Sequence, residues 1–188
     1  EATRNEVMAN AYFLRAYCYF TLVRVFGDCP LLTSGFESEK QEDMYPSRTA
    51  ASEVYAQVET DIEEALRLMP ASSKLLHKAS PAAINMLRTE YYLWKAKRLG
   101  GGNAALSTAQ SSVDAVLKAG YALLPTFADI FNLNNEANSE LIWTLPYIVN
   151  ENVTPGTSPN FFAYYLAPNG DRTRLREAGY AEDEVPAG

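Results

Sequence analysis

The chain has 188 residues, 47% apolar and 21% charged, which suits one ordinary globular domain with a buried core or a large part of a bigger protein. Sixteen Lys and Arg stand against 23 Asp and Glu, a net charge of −7, and no long basic run appears. That balance argues against nucleic-acid phosphates and anionic lipid surfaces as partners.

From Glu1 to Phe26 the apolar residues Val7, Ala11, Leu14, Cys18, Leu22 and Val25 step by four, three, four, four and three. A second stripe of Tyr12, Ala16, Tyr19, Phe20 and Val23 widens the apolar girth, so this segment is expected to be a mostly buried central helix. Gly27 and Pro30 stop it, and Leu31 to Ser47 reads as a loop. A second helix is expected from about Ala50 to Met69, with Thr49 as N-cap. Its core stripe is Val54, Val58, Ile62, Ala65, Leu66 and Met69, with Glu53, Glu59, Asp61, Glu63 and Glu64 on the other face. Pro70 ends it.

Ser80-Pro81 reads as a helix start, with Ser as N-cap and Pro at the first helical position. The third helix then runs to about Arg98 and buries Ala83, Ile84, Leu87, Tyr91 and Trp94. Gly100, Gly101 and Gly102 form a turn between helices rather than a phosphate loop, since no Gly-Lys-Ser/Thr follows and no strand precedes them. Asn103 caps a fourth helix that packs Leu106, Ala109, Val113, Val116 and Leu117 and ends at Gly120. Helices of this length in antiparallel pairs are the units of tetratricopeptide-like stacks, although the strict 34-residue signature is absent.

Beyond Gly120 the character changes. Tyr121 to Pro125 is extended, Phe127 to Phe131 makes a helical turn, and Asn132 to Asn138 is loop. Leu141 to Leu145 is a short β-prone run, and from Pro146 onward Pro and Gly break any periodicity. The expected fold is therefore mainly α. Residues 1–120 form a tetratricopeptide-like helical core, and residues 121–188 form an irregular segment with a short strand that begins the ligand-presenting region.

Cys18 and Cys29 read as buried free thiols, a disulfide needing their Cα atoms within about 7 Å. One histidine, His77, and two scattered cysteines cannot build a zinc site, and no metal or cofactor is expected. No run of about 18 apolar residues could span a membrane. There is no initiator Met, signal peptide or lipobox, and Glu1 already lies in a helical pattern, which suggests an excised fragment or processed chain.

Five segments in order carry a resemblance. They are Tyr12-Phe13-Leu14-Arg15-Ala16-Tyr17-Cys18-Tyr19-Phe20 continuing to Phe26-Gly27-Asp28-Cys29-Pro30-Leu31; Val54-Tyr55 with Asp61-Ile62-Glu63-Glu64-Ala65 and Leu68-Met69-Pro70; Ala82-Ala83 and the Tyr-rich body after it; Gly120-Tyr121-Ala122-Leu123-Leu124-Pro125 with Phe127-Ala128-Asp129-Ile130-Phe131; and Asn138-Ser139-Glu140-Leu141-Ile142-Trp143. Together they resemble the SusD/RagB family over about residues 5 to 147. The resemblance implies a non-enzymatic lipoprotein on the outer-membrane surface. Such a protein holds an oligosaccharide or other nutrient above a TonB-dependent, SusC-like transporter. It further implies that this chain is an internal portion, so its membrane attachment is a lipid anchor outside the chain.

Sugar capture without catalysis needs aromatic faces for pyranose rings and planar polar groups for hydroxyls, best carried on loops of a rigid scaffold. The candidates are Asn160, Phe162, Tyr164, Tyr165, Asn169, Asp171, Arg172 and Arg174. The plainer alternative is that Phe161 to Tyr165 pack the irregular segment onto the helices. Trp94 and Trp143 are expected in the core, and Arg15 and Arg24, in apolar surroundings, need a carboxylate for which Asp28 is a candidate. Glu63-Glu64 and Glu182-Asp183-Glu184 read as solvated faces, and no Gly-x-Ser-x-Gly elbow exists. Two other readings remain at this point: a helical-repeat scaffold for protein interactions, and a carbohydrate-active enzyme.

Overall fold

Four long helices carry the fold in the computed structural model, which describes residues 2–35, 45–73, 76–135 and 137–145. They are α1 (Ala2–Phe26), α2 (Ala51–Leu68), α3 (Pro81–Arg98) and α4 (Gly102–Leu117), followed by the short α5 (Phe127–Ile130) and a 3₁₀ turn at Leu133–Asn135. α1 packs along α2 and α3 along α4, with a shorter contact joining α2 to α3. The mainly α, paired-helix architecture is as expected, and residues 1–144 make one compact unit that includes the irregular stretch after Gly120.

Each turn has a local cause. Gly27 sits at φ 69°, the left-handed region that ends α1 without a Cβ penalty. Ser80 caps α3, its Oγ accepting the Ala83 N–H at 3.1 Å, with Pro81 next in line. At the α3–α4 turn Gly100 and Gly102 take φ 74° and 52°. Gly101 lies against the last turn of α3, where an added Cβ would stand 2.8 Å from the Ala105 Cβ and 3.0 Å from the Lys95 Cγ. The triplet is a helix–helix turn.

Two caps differ from expectation. Thr49 does not cap α2; the cap position is Ala50, which has no side-chain acceptor. Asp28, back at the end of α1, accepts the Ala51 N–H on its Oδ1 at 2.8 Å and takes over that role. Asn103 lies inside the first turn of α4, whose cap position is Gly101.

The core is built from Phe13, Phe20, Val54, Val58, Ile62, Ile84, Leu87 and Tyr91, all buried. α1 contributes Ala9, Phe13, Ala16, Phe20 and Val23. The stripe expected to lead, Val7 through Val25, is on the opposite side and is exposed, with Val7 at 64% and Val25 at 67%. Both stripes have helical spacing; the one that fills the gap to α2 and α3 is the one with the two phenylalanines. In α4 the buried residues are Ala105, Ala109, Ser112 and Val116, while Leu106 and Leu117 are exposed. Small residues let α4 lie close to α3.

Leu141 to Leu145 was expected to be a strand, and it is not one among the described residues. A strand needs a neighbouring ladder, and this run makes one such backbone contact, the Thr144 N–H donating to the Leu76 carbonyl at 3.0 Å. Trp94 is half-buried, with Nε1 donating to the Tyr55 hydroxyl at 3.1 Å. Of the two free thiols Cys29 is buried, while Cys18 is exposed, against expectation.

Candidate functional site

The loop residues expected to hold a sugar, Asn160, Phe162, Tyr164, Tyr165, Asn169, Asp171, Arg172 and Arg174, lie outside the described residues. What the structure shows in detail is how the segments that carry the resemblance lock to one another.

Arg15, in the first segment, meets Asp61, in the second. Nε donates to Oδ2 at 2.7 Å and Nη2 to Oδ1 at 2.6 Å, a bidentate pair. Gln57 adds a third donor to Oδ1 at 2.8 Å. The Asp61 side chain is 1% exposed and that of Arg15 27%. The hydrogen bonds to Asp61 push the Arg15 pKa further up, against the opposing effect of burial. Asp28 is thus not the arginine's partner, as had been expected. Arg24 instead lies over the Phe20 ring at 4.0 Å, a cation–π contact, and donates from Nε to the Phe20 carbonyl. Asp61 was assigned to the polar face, yet it falls in the 4-3-4 register of Val54, Val58 and Ala65. A carboxylate in a core register demands a buried cation, and that signal was available.

The fourth and fifth segments clamp each other. Asn138 turns the chain, its Nδ2 donating to the Asn135 carbonyl at 3.0 Å and its Oδ1 accepting the Glu140 N–H at 3.1 Å. The Ala122 N–H donates to the Ser139 carbonyl at 3.0 Å, and Glu140 Oε2 accepts the Leu124 N–H at 2.9 Å. Trp143 then closes back on α1, edge-on to Phe13 and Tyr17 with ring centroids 5.2 and 5.3 Å apart. His77 Nδ1 lies 3.2 Å from the Thr144 hydroxyl, beside the Leu76–Thr144 backbone bond.

Between α2 and α3 sits a polar network on Glu59. Its carboxylate accepts from Tyr91 at 2.8 Å, Tyr92 at 2.9 Å and Lys95 at 2.7 Å. Burial opposes its ionisation, but the hydrogen bonds from Lys95, Tyr91 and Tyr92 outweigh that and hold its pKa below the ordinary value of 4.5. Burial, and then the bond to Glu59, raise both tyrosines far above their ordinary range, so they stay neutral donors. Alongside, Arg88 ties Glu63 at 2.8 Å to the buried Ser112 of α4 at 2.8 Å.

One concavity brings aromatic and acidic groups together. A cavity of about 280 Å³ opens beside Trp143, lined by Phe13, Tyr17, Met86, Glu90, Glu140 and neighbours. Its walls can take an apolar ring face, and Glu90 at the surface can accept hydrogen bonds. Glu140 already serves Leu124. Among the described residues no three or more His, Cys, Asp or Glu gather as a metal site, and no helix is long and apolar enough to cross a membrane.

The profile described as SusD-like, starch-binding associating with outer membrane, matches residues 1–93. SusD-like protein P38 of Formosa agariphila is 32% identical over 184 residues, covering 87% of this chain and 34% of that protein. A solved SusD superfamily protein from Bacteroides vulgatus matches with a TM-score of 0.71 and 32% identity, covering 80% of this chain and 30% of its own. A structure described as a laminarin-binding SusD-like protein matches with a TM-score of 0.63 and 25% identity, over 76% of this chain and 31% of that one. The chain spans about a third of the length of these relatives.

Proposed function

We propose that this chain, which belongs to the SusD-like family, is the rigid helical part of a protein that captures an oligosaccharide at the bacterial outer surface and passes it unaltered to a TonB-dependent, SusC-like transporter. Membrane attachment in this reading is by a lipid anchor outside these residues. The observation that carries the reading is the mutual locking of the five ordered segments. Arg15 binds Asp61, Tyr91 donates to the Tyr55 carbonyl, Glu140 binds the segment after Gly120, and Trp143 rests on Phe13. Residues that resemble the family are therefore spent on a stiff frame, which is what a holding protein needs and what a preorganised binding site rests on.

The ligand contacts in this reading are Phe162, Tyr164 and Tyr165 for ring faces, with Asn160, Asn169, Asp171, Arg172 and Arg174 for hydroxyls. The test is calorimetric titration of the intact protein with laminari-oligosaccharides first, because one relative is described as laminarin-binding, and then with a wider glycan array. Phe162→Ala and Tyr165→Ala should each weaken binding roughly tenfold, the scale of one lost aromatic contact. Loss on Tyr17→Ala instead would move the site to the Trp143 cleft. Steady release of reducing ends by pure protein would replace the reading with a carbohydrate-active enzyme.

A further inference from the structure

The cleft beside Trp143 is lined by charge of one sign. Three parts of the chain meet there: Phe13 and Tyr17 of α1, Glu90 of α3, and Glu140 and Trp143 of the segment that closes back on α1. The Trp143 ring stands at 84° to Phe13 and 65° to Tyr17, so indole and phenol meet as two walls of a corner. Tyr17 is 41% exposed and Trp143 half-buried, and both keep surface for a ligand.

The polar side chains of the cleft are mostly acceptors. Among the described residues neither Glu90 nor Glu140 has a cationic side chain within 4 Å. Glu140 gives Oε2 to the Leu124 N–H. No Lys, Arg, Asn or Gln is among the lining residues, whose only side-chain donors are the Tyr17 hydroxyl and the Trp143 N–H. A neutral sugar, whose hydroxyls both donate and accept, finds few donors in such a lining. An ammonium group is the better complement: it donates three hydrogen bonds and accepts none. The electron-rich faces of Trp and Tyr attract it as well as the carboxylates do. The net charge of −7 adds a field of the same sign.

We propose that the Trp143 cleft is a second ligand site and that it takes an amino sugar. The protonated amine pairs with Glu90 and Glu140, and a C–H face of the ring lies on Tyr17 and Trp143. The cavity of about 280 Å³ falls just under the ~300 Å³ at which small-ligand pockets begin, which suits one sugar unit rather than a chain. This site is separate from the residues between Asn160 and Arg174 and does not depend on the glycan-capture reading.

The test is a calorimetric titration of the intact protein with glucosamine, glucose and N-acetylglucosamine, three similar rings of which the first alone carries an ammonium. Glucosamine should bind at least roughly tenfold tighter than either neutral ring, the scale of one desolvated cation–π contact with an ion pair. Glu90→Gln replaces an exposed side chain, so the fold should persist, and it should remove about fivefold of that preference. Tyr17→Ala should weaken glucosamine by a similar factor. Equal binding of the three rings, or a preference that Glu90→Gln leaves intact, would overturn the proposal. So would n-butylamine binding as tightly as glucosamine, which would give the cleft to a lysine-like chain. Glucosamine binding in a protein that takes no laminari-oligosaccharide would uphold the cleft and count against the capture reading alone.

Discussion

Arg15→Met tests the frame at its most demanding point. The substitution keeps a straight apolar side chain of similar length and removes the guanidinium, which lies over the Tyr12 ring and pairs with Asp61, leaving the fully buried Asp61 carboxylate with Gln57 as its one remaining side-chain donor among the described residues. A buried charge stripped of its partner costs about 3–5 kcal/mol. The lower end applies here, because Arg15 keeps some solvent and Asp61 keeps the Gln57 donor. A loss of about 3 kcal/mol lowers the melting temperature by about 6–12 °C in a chain of this size. Urea unfolding of the wild type, Arg15→Met, Asp61→Leu and the double variant measures the coupling. The double variant should recover most of the loss, since a buried pair replaced as a unit by apolar groups is close to neutral. A cost under about 1 kcal/mol for Arg15→Met, or single effects that simply add, would show that Asp61 does not depend on Arg15.

Four further outcomes follow from the same geometry. Asp28→Ala removes the acceptor for the Ala51 N–H and should cost about 1 kcal/mol, read by urea midpoint, with Asp28→Asn recovering most of it. Gly102→Ala places a Cβ at φ 52° and should cost about 1–2 kcal/mol, whereas Gly35→Ala, with open space around it, should change little. Glu59 has a folded pKa below its unfolded value, so its stabilisation is present above about pH 4.5 and is lost as pH falls through the folded value. Urea midpoints between pH 7 and 3 should show this decline, and Glu59→Gln should flatten it. Native labelling should modify Cys18 alone, because Cys29 is buried and its pKa is raised mainly by that burial; two reactive thiols without denaturant would contradict the packing of Cys29.

Much of the fold was legible in the sequence because its punctuation is chemically strict. Gly27, the Ser80-Pro81 start and the glycine triplet each have few conformational options, and each does what its residue type dictates. The side of α1 that meets the core was not legible. Periodicity reports that a stripe exists but not which of two opposite stripes finds a neighbour, and only the fit of Phe13 and Phe20 against α2 and α3 decides it. The cap of α2 was missed for a related reason. Asp28 is distant in sequence from Ala51 and close only after the loop folds back, at the Cys29–Thr49 bridge. Asp61 could have been recognised from its place in the Val54–Val58–Ala65 register. The segments that carry the family likeness turn out to hold one another, and the residues proposed to contact a sugar lie outside the described residues, in a stretch of sequence whose Pro and Gly leave no periodicity to read.

On the proposed function, the intact protein holds a glycan and leaves it whole. One sample settles it: intact protein is titrated with a defined laminari-oligosaccharide in a calorimeter, kept at working temperature, and the recovered sugar is sized by chromatography. A saturable heat with every recovered chain at its starting length is the expected result. Shortened chains, or no heat with any member of a broad glycan panel, would contradict it.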